Sequence, residues 1–281
     1  SRTVLRGERG SNVPDLPDYW DMSVNGYTYA NKMLNLPDEY KVSGMPNGNQ
    51  RIYEGKDIYR WEMRQFAGLD EKGNSLWYMD RDLTDGEGNV VGVEKVTTGD
   101  ATEATQYLLE KSALPDFTGG LNTTLRWKSL DLTIMTNFQF GGYGYDYDFS
   151  AFSSANFPMN RLKNYADAWN PETGKGSAPI WNTNDSNINA SSDRFLISKT
   201  YFNLRNITLG YTFPANWMSK IGIKSVRVYF ACDNVFFASK RKGYDPRTSM
   251  GGQGATVALN SVDGTYYSPI RTTSVGLNIN F

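Results

Sequence analysis

The sequence of 281 residues contains no histidine and a single cysteine, Cys232. A Ser-His-Asp triad, a Cys-His pair and a His-ligated zinc site are therefore excluded from this chain alone, as are an internal disulfide and a multi-cysteine metal cage. Long apolar runs are missing too. The longest, Val228 to Cys232, is far shorter than the ~20 residues a membrane-spanning helix needs. Neither sign of charge dominates: 29 basic and 30 acidic side chains leave a net charge of -1, which removes the electrostatic footprint of a nucleic-acid binder. The start, Ser1-Arg2-Thr3-Val4, is neither a methionine start nor a secretion signal, and reads as a mature or partial chain. A membrane is not excluded, because a transmembrane strand needs only ~9 to 11 residues and leaves every second one polar. A mean hydropathy of -0.54 is compatible with that pattern.

Aromatics and period-two alternation are abundant instead. Leu121, Thr123, Leu125 and Trp127 share one parity, and Leu132, Ile134, Thr136, Phe138 and Phe140 share another across the tight Lys128-Ser129 link. This predicts an antiparallel hairpin whose second strand, Leu130 to Phe140, is long enough for an apolar band of roughly 25 Å. The alternation recurs over Asn203 to Phe213, Val226 to Phe237 and Arg271 to Phe281, and more weakly over Tyr19 to Asn31 and Asp57 to Asp70. Seven strands result. The connections 71 to 117, 143 to 200 and 238 to 269 are long, whereas 128 to 129 and 214 to 225 are short. Such asymmetry marks an outer-membrane barrel, although the 32 to 56 connection does not fit it. The expected fold is all-β: about seven C-terminal strands of a large antiparallel transmembrane barrel.

The chain closes on Phe281, with Ile279, Leu277 and Val275 at the preceding same-parity positions, an ending that resembles a barrel-assembly signal. Further residues carry a wider resemblance. Phe202-Asn-Leu-Arg-Asn-Ile-Thr-Leu-Gly-Tyr-Thr-Phe-Pro214, Arg227-Val-Tyr-Phe-Ala-Cys-Asp-Asn-Val-Phe236, Gly243-Tyr-Asp-Pro246 and Tyr267-Ser-Pro-Ile-Arg271 resemble, in order, segments of the SusC/RagA family of TonB-linked outer-membrane proteins. So do Glu54 to Trp61, Phe66 to Asp70 and Leu114 to Asn122. The resemblance implies a transporter of the type that closes about 22 strands around a plugged lumen, in the bacterial outer membrane. It implies that a plug, a TonB-contacting segment and the first strands lie upstream of this sequence. It also implies a SusD-like surface lipoprotein as partner and an oligosaccharide, or alternatively a peptide, as cargo. With Phe281 on the periplasmic side, counting back seven strands puts Trp127, Phe213 and Trp217 in the inner aromatic girdle. Tyr19, Trp20, Tyr266 and Tyr267 fall in the outer one. Arg205 and Arg271 then have lipid-face parity near the outer ends of their strands.

Candidate binding residues lie in the long connections. Tyr143, Tyr145 and Tyr147 alternate with Asp146 and Asp148 next to the barrel mouth; aromatic faces stack on sugar rings and carboxylates accept sugar hydroxyls. Trp169 and Trp181 are further candidates. Packing in an interface belt or a loop core is the other reading of the tyrosines, and the weightier one. Asp80 and Asp82 have the alternate spacing of a calcium loop, with Thr84 in the next alternate place and Asp85 beside it, but Gly86 falls one place late and Val91 stands where a glutamate belongs. No other cofactor is expected. Asp146 with Asp148, or Asp80 with Asp82, could be nominated as glycosidase carboxylates; the spacing is too common to carry that reading, and no catalytic residue is assigned. A soluble carbohydrate-binding β-sandwich or glycoside hydrolase is the alternative of another class.

Overall fold

The computed structural model describes residues 19–153, 167–182, 185, 187–240 and 270–281. Its strands are β1 (Tyr19–Tyr27), β2 (Met45–Asn47), β3 (Gln50–Ile52), β4 (Arg60–Arg64), β5 (Phe66–Leu69), β6 (Ser75–Thr84), β7 (Val90–Thr98) and β8 (Gln106–Ser112). They continue with β9 (Pro115–Trp127), β10 (Leu130–Gly141), β11 (Tyr143–Tyr145), β12 (Leu196–Ser198), β13 (Tyr201–Thr212), β14 (Ser225–Ser239) and β15 (Thr272–Asn280). Short helices α1 (Tyr147–Phe152) and α2 (Ala215–Met218) interrupt them.

Six of these strands form one antiparallel wall in the order β1-β9-β10-β13-β14-β15. The β9–β10 hairpin closes with Trp127 opposite Leu130, and Lys128 takes a φ of 50° to make the two-residue turn. Register carries one apolar face across the wall: Trp20 faces Leu125, Leu125 faces Leu132, Leu132 faces Leu209, Leu209 faces Phe230 and Phe230 faces Val275. The opposite face is polar, with Asp21, Thr124, Thr133, Thr208, Ala231 and Ser274 in the neighbouring row.

The apolar face is not covered. Of the wall's apolar side chains only Cys232 is among the buried residues, whereas Leu125, Trp127, Leu209, Phe230 and Val275 are all exposed. A soluble sandwich would bury this face against a second sheet, and among the described residues no second sheet lies on it. An apolar surface this extensive belongs against lipid or another apolar medium. The wall is thus a stretch of open barrel sheet, as expected, but among the described residues it has six strands rather than seven.

The discarded strand is Asp57 to Asp70. It is split into β4 and β5, which pair with β3, β8 and β6 in two small sheets outside the wall, β2-β3-β4-β8 and β5-β6-β7. Its alternating apolar residues, Trp61 and Met63, face a protein core instead of lipid: they are buried with Leu109, Ala113, Tyr145, Phe195 and Leu196. The misfit of the 32 to 56 connection disappears with this strand, because residues 28–114 form a single excursion between β1 and β9. One strand fewer also reverses β1. Tyr19 lies opposite Arg126 and Trp20 opposite Leu125, beside the Lys128-Ser129 turn, so both lie at the short-turn end and not in the outer girdle; Trp20 is on the apolar face there, whereas Tyr19 shares the polar face with Asp21 and Arg126. Tyr266 and Tyr267 lie outside the described residues.

Candidate functional site

Both long excursions that the structure describes leave the same end of the wall and pack on each other. Trp61, fully buried, donates its indole N–H to the Tyr143 carbonyl (3.2 Å), joining residues 28–114 to residues 142–200. Phe195 completes the contact, edge-on to Tyr145 (6.0 Å) and Phe149 (5.3 Å). Polar links reinforce it: Asp193 accepts from the Phe66 backbone N–H (2.9 Å), and Ser191 bonds Asn49 (2.9 Å). Buried Glu62 accepts from Arg51 (2.6 Å) and Tyr53 (2.9 Å); burial and that carboxylate raise the Tyr53 phenol above its ordinary value.

This core decides the fate of the tyrosine patch. Tyr145 is 2% exposed, packed in the core with its hydroxyl on Ser150 (3.2 Å), and presents no free face to a sugar ring. Asp146, equally buried, caps α1 by accepting from the Phe149 N–H (2.9 Å). Tyr143 is half-buried beside the same core, with the Lys111 ammonium 5.3 Å from its ring centroid. Tyr147 and Asp148 open α1, and their side chains lie outside the described residues.

Trp181 is 46% exposed. Trp169 lines an open cleft of about 760 Å³ with Phe66, Leu69, Asp70, Glu71 and Lys175. One wall of the cleft is the Asp70 turn, which repeats almost atom for atom at Asp85. In Asp70-Glu-Lys-Gly-Asn74 and Asp85-Gly-Glu-Gly-Asn89 the aspartate accepts from the backbone N–H two and four residues on and from the asparagine amide. The glycine in the fourth place takes a φ of 82° or 88°. Asp85 therefore serves a hairpin turn between β6 and β7. Asp80 accepts from the Tyr107 hydroxyl (2.6 Å), and burial together with that carboxylate pushes the Tyr107 phenol up to about 12. Among the described residues no three His, Cys, Asp or Glu groups converge as a metal site. The Asp-x-x-Gly-Asn repeat was legible in the sequence and is the better reading of Asp85.

The polar face of the wall holds features that alternation alone does not reveal. Near the short turns, Arg227 reaches across β13, above Gly210, to Asp131 on β10 with bonds of 3.0 and 2.5 Å. Toward the other end, register shifts between Leu204 and Asn206 on β13 leave Arg205 as an extra residue. That bulge changes the parity of the strand: Leu204 pairs with Thr136 and Phe202 with Phe138 of the apolar face, whereas Asn206 pairs with Met135 of the polar face. Arg205 lines a cavity of about 220 Å³ with Asn25, Thr118, Asn122, Met135 and Asn137. It is thus on the polar face, a correction to the lipid-face parity that uninterrupted alternation assigns it. Arg271 does sit at the strand end, donating to the Val235 carbonyl (2.6 Å).

Comparison with known proteins accords with this geometry. No family model matches the chain. TonB-dependent receptor P3 of Formosa agariphila is 24% identical over 96% of the chain and 27% of its own length. TonB-dependent receptor SusC of Bacteroides thetaiotaomicron is 24% identical over 93% of the chain and 24% of its own length. Among solved structures, the RagAB peptide transporter superposes with a TM-score of 0.70 over 96% of the chain and 28% of its own, at 23% identity. The chain spans about a quarter of the length of the curated relatives it matches. Over that quarter the chain is similar in sequence to TonB-dependent receptors of the SusC type, and its wall of strands has the fold of the corresponding part of the RagAB transporter.

Proposed function

We propose that the chain provides wall strands and outer excursions of a TonB-dependent outer-membrane importer of oligosaccharides, working with a SusD-like surface lipoprotein. One observation carries the reading. A continuous sheet has an uncovered apolar face and a polar face, and its described long excursions both leave one end, where they pack on each other around a shared core as an outer body. That is a wall between hydrocarbon and water with a structured mouth. The lipoprotein would be met through the connections 71–117, 143–200 and 238–269, the last of them almost wholly outside the described residues, and TonB would act through parts of the receptor beyond this chain. Saccharide cargo is supported by the hydroxyl and amide side chains of the polar face and by Trp169 and Trp181, which remain accessible. Peptide cargo is the second reading, favoured by the likeness to the RagAB peptide transporter.

The test uses the full receptor in a strain lacking its chromosomal copy. Carbonate washing should leave it in the outer-membrane fraction, and labelled oligosaccharides should enter only when TonB is intact. Release by carbonate would overturn the barrel. Entry of peptides alone would overturn the saccharide cargo. Failure to recover a lipoprotein with the affinity-purified receptor would remove that partner.

A further inference from the structure

Three arginines occupy the polar face of the wall, and two are satisfied. Arg126 lies over the Tyr19 ring (4.9 Å), and Arg227 is paired with Asp131. Arg205 has no ion-pair, hydrogen-bond or ring partner among the described residues. The bulge that turns it to this face sets it in the cavity with Thr118, whose hydroxyl is buried and also without a hydrogen-bond partner. Asn25 and Asn122 bring two more side-chain amides to the same walls. Gly120, whose missing side chain leaves the space open, forms part of the lining; a Cβ there would stand 3.1 Å from the Asn25 side-chain oxygen. A buried hydroxyl without a partner is costly and uncommon, and bulges commonly re-aim a side chain at a functional site.

We propose that Arg205, with Thr118, Asn25 and Asn122, forms a subsite for a carboxylate on the polar face of the wall. The guanidinium fork matches a carboxylate in geometry and charge. The Thr118 hydroxyl and the asparagine amides donate to whichever lone pairs the fork leaves. The carboxylate is carried by acidic cargo, either a uronate-containing oligosaccharide or the C terminus of a peptide. The inference rests on the importer reading and adds a preference for acidic cargo.

The experiment measures uptake by the full receptor of two matched pairs: an oligouronate with its carboxyl-reduced form, and a short peptide with its C-terminal amide. Wild type should favour the acidic member of one pair, and which pair responds identifies the source of the carboxylate. Arg205→Gln should weaken apparent affinity for that member about tenfold and leave its neutral counterpart unchanged, with Arg205→Lys retaining part of the preference. Thr118→Val, which keeps the cation, should lose a few-fold and gives the same readout should Arg205→Gln fail to assemble. Equal effects on both members of a pair, or on neither, overturn the subsite. So does a wild type that imports without discrimination. A wild type that imports none of the four compounds instead overturns the importer reading itself.

Discussion

Asp131 and Arg227 tie three wall strands together on the polar face, and the pair is unequally shielded: the Asp131 side chain is 10% exposed and that of Arg227 28%. Removing one partner strands the other. Asp131→Ala should therefore destabilise the receptor by about 2 kcal/mol, less than the 3 to 5 of a fully enclosed pair because water reaches the guanidinium. Arg227→Ala in the same background should cost little more, and urea unfolding of the four variants in detergent checks the coupling. Lys199, between β12 and β13, donates to the Ala113 carbonyl (3.0 Å), and burial pushes its ammonium down to about 8. The unfolded chain keeps that proton to about pH 10.4. Between those values the unfolded state binds more protons, so stability rises with pH. Lys199→Met should flatten the rise, read as Tm from pH 7.5 to 10.5.

The paired turns show how a short motif sets an element. The hydrogen bonds that Asp85 accepts from the Asn89 backbone and side chain hold its carboxyl below its ordinary 3.8. At Asp70 burial works upward, but bonds from Asn74 and Lys72 outweigh it and the net shift is again downward. The stabilisation is therefore complete above the ordinary carboxylate value and is lost as pH falls through the lowered one. Amide exchange at Glu87 and Asn89 should stay protected at pH 5 and lose that protection well below pH 4; Asp85→Asn should remove most of the pH dependence. The same scale shows what a sequence reveals and what it hides. Five of the wall strands were legible with their faces, and a weaker sixth as well, because lipid on one side and water on the other imposes strict alternation. Trp61 and Met63 alternate just as strictly toward a protein core, so period two cannot separate the two environments. The charges of Arg60, Glu62 and Arg64 between them were the available warning. Arg205 was misplaced because a bulge adds one residue without a sequence mark. Tyr145 was ambiguous for a different reason: the same ring suits a sugar platform and a loop core, and only the position of Phe195 decides.

At the scale of the molecule, the wall ends in two edges. Among the described residues β1 pairs only with β9, and β15 only with β14. Edge N–H and C=O groups facing hydrocarbon cost several kcal/mol each, so the apolar face can enter a bilayer only when further strands continue the sheet from both sides. The 281-residue chain produced alone and refolded in detergent should accordingly form oligomers through these edges, detected by light scattering, while the full receptor should give a single heat-modifiable species. β15 is one edge of the described wall, and its apolar side chains Val275, Leu277 and Ile279 are exposed together with Phe281. Removing Phe281 should reduce the amount of heat-modifiable receptor in the outer membrane while leaving the transport rate per assembled barrel unchanged, since that ring lies at the short-turn end, remote from the outer body. A fall in transport per barrel would show that this end acts in transport as well as in assembly.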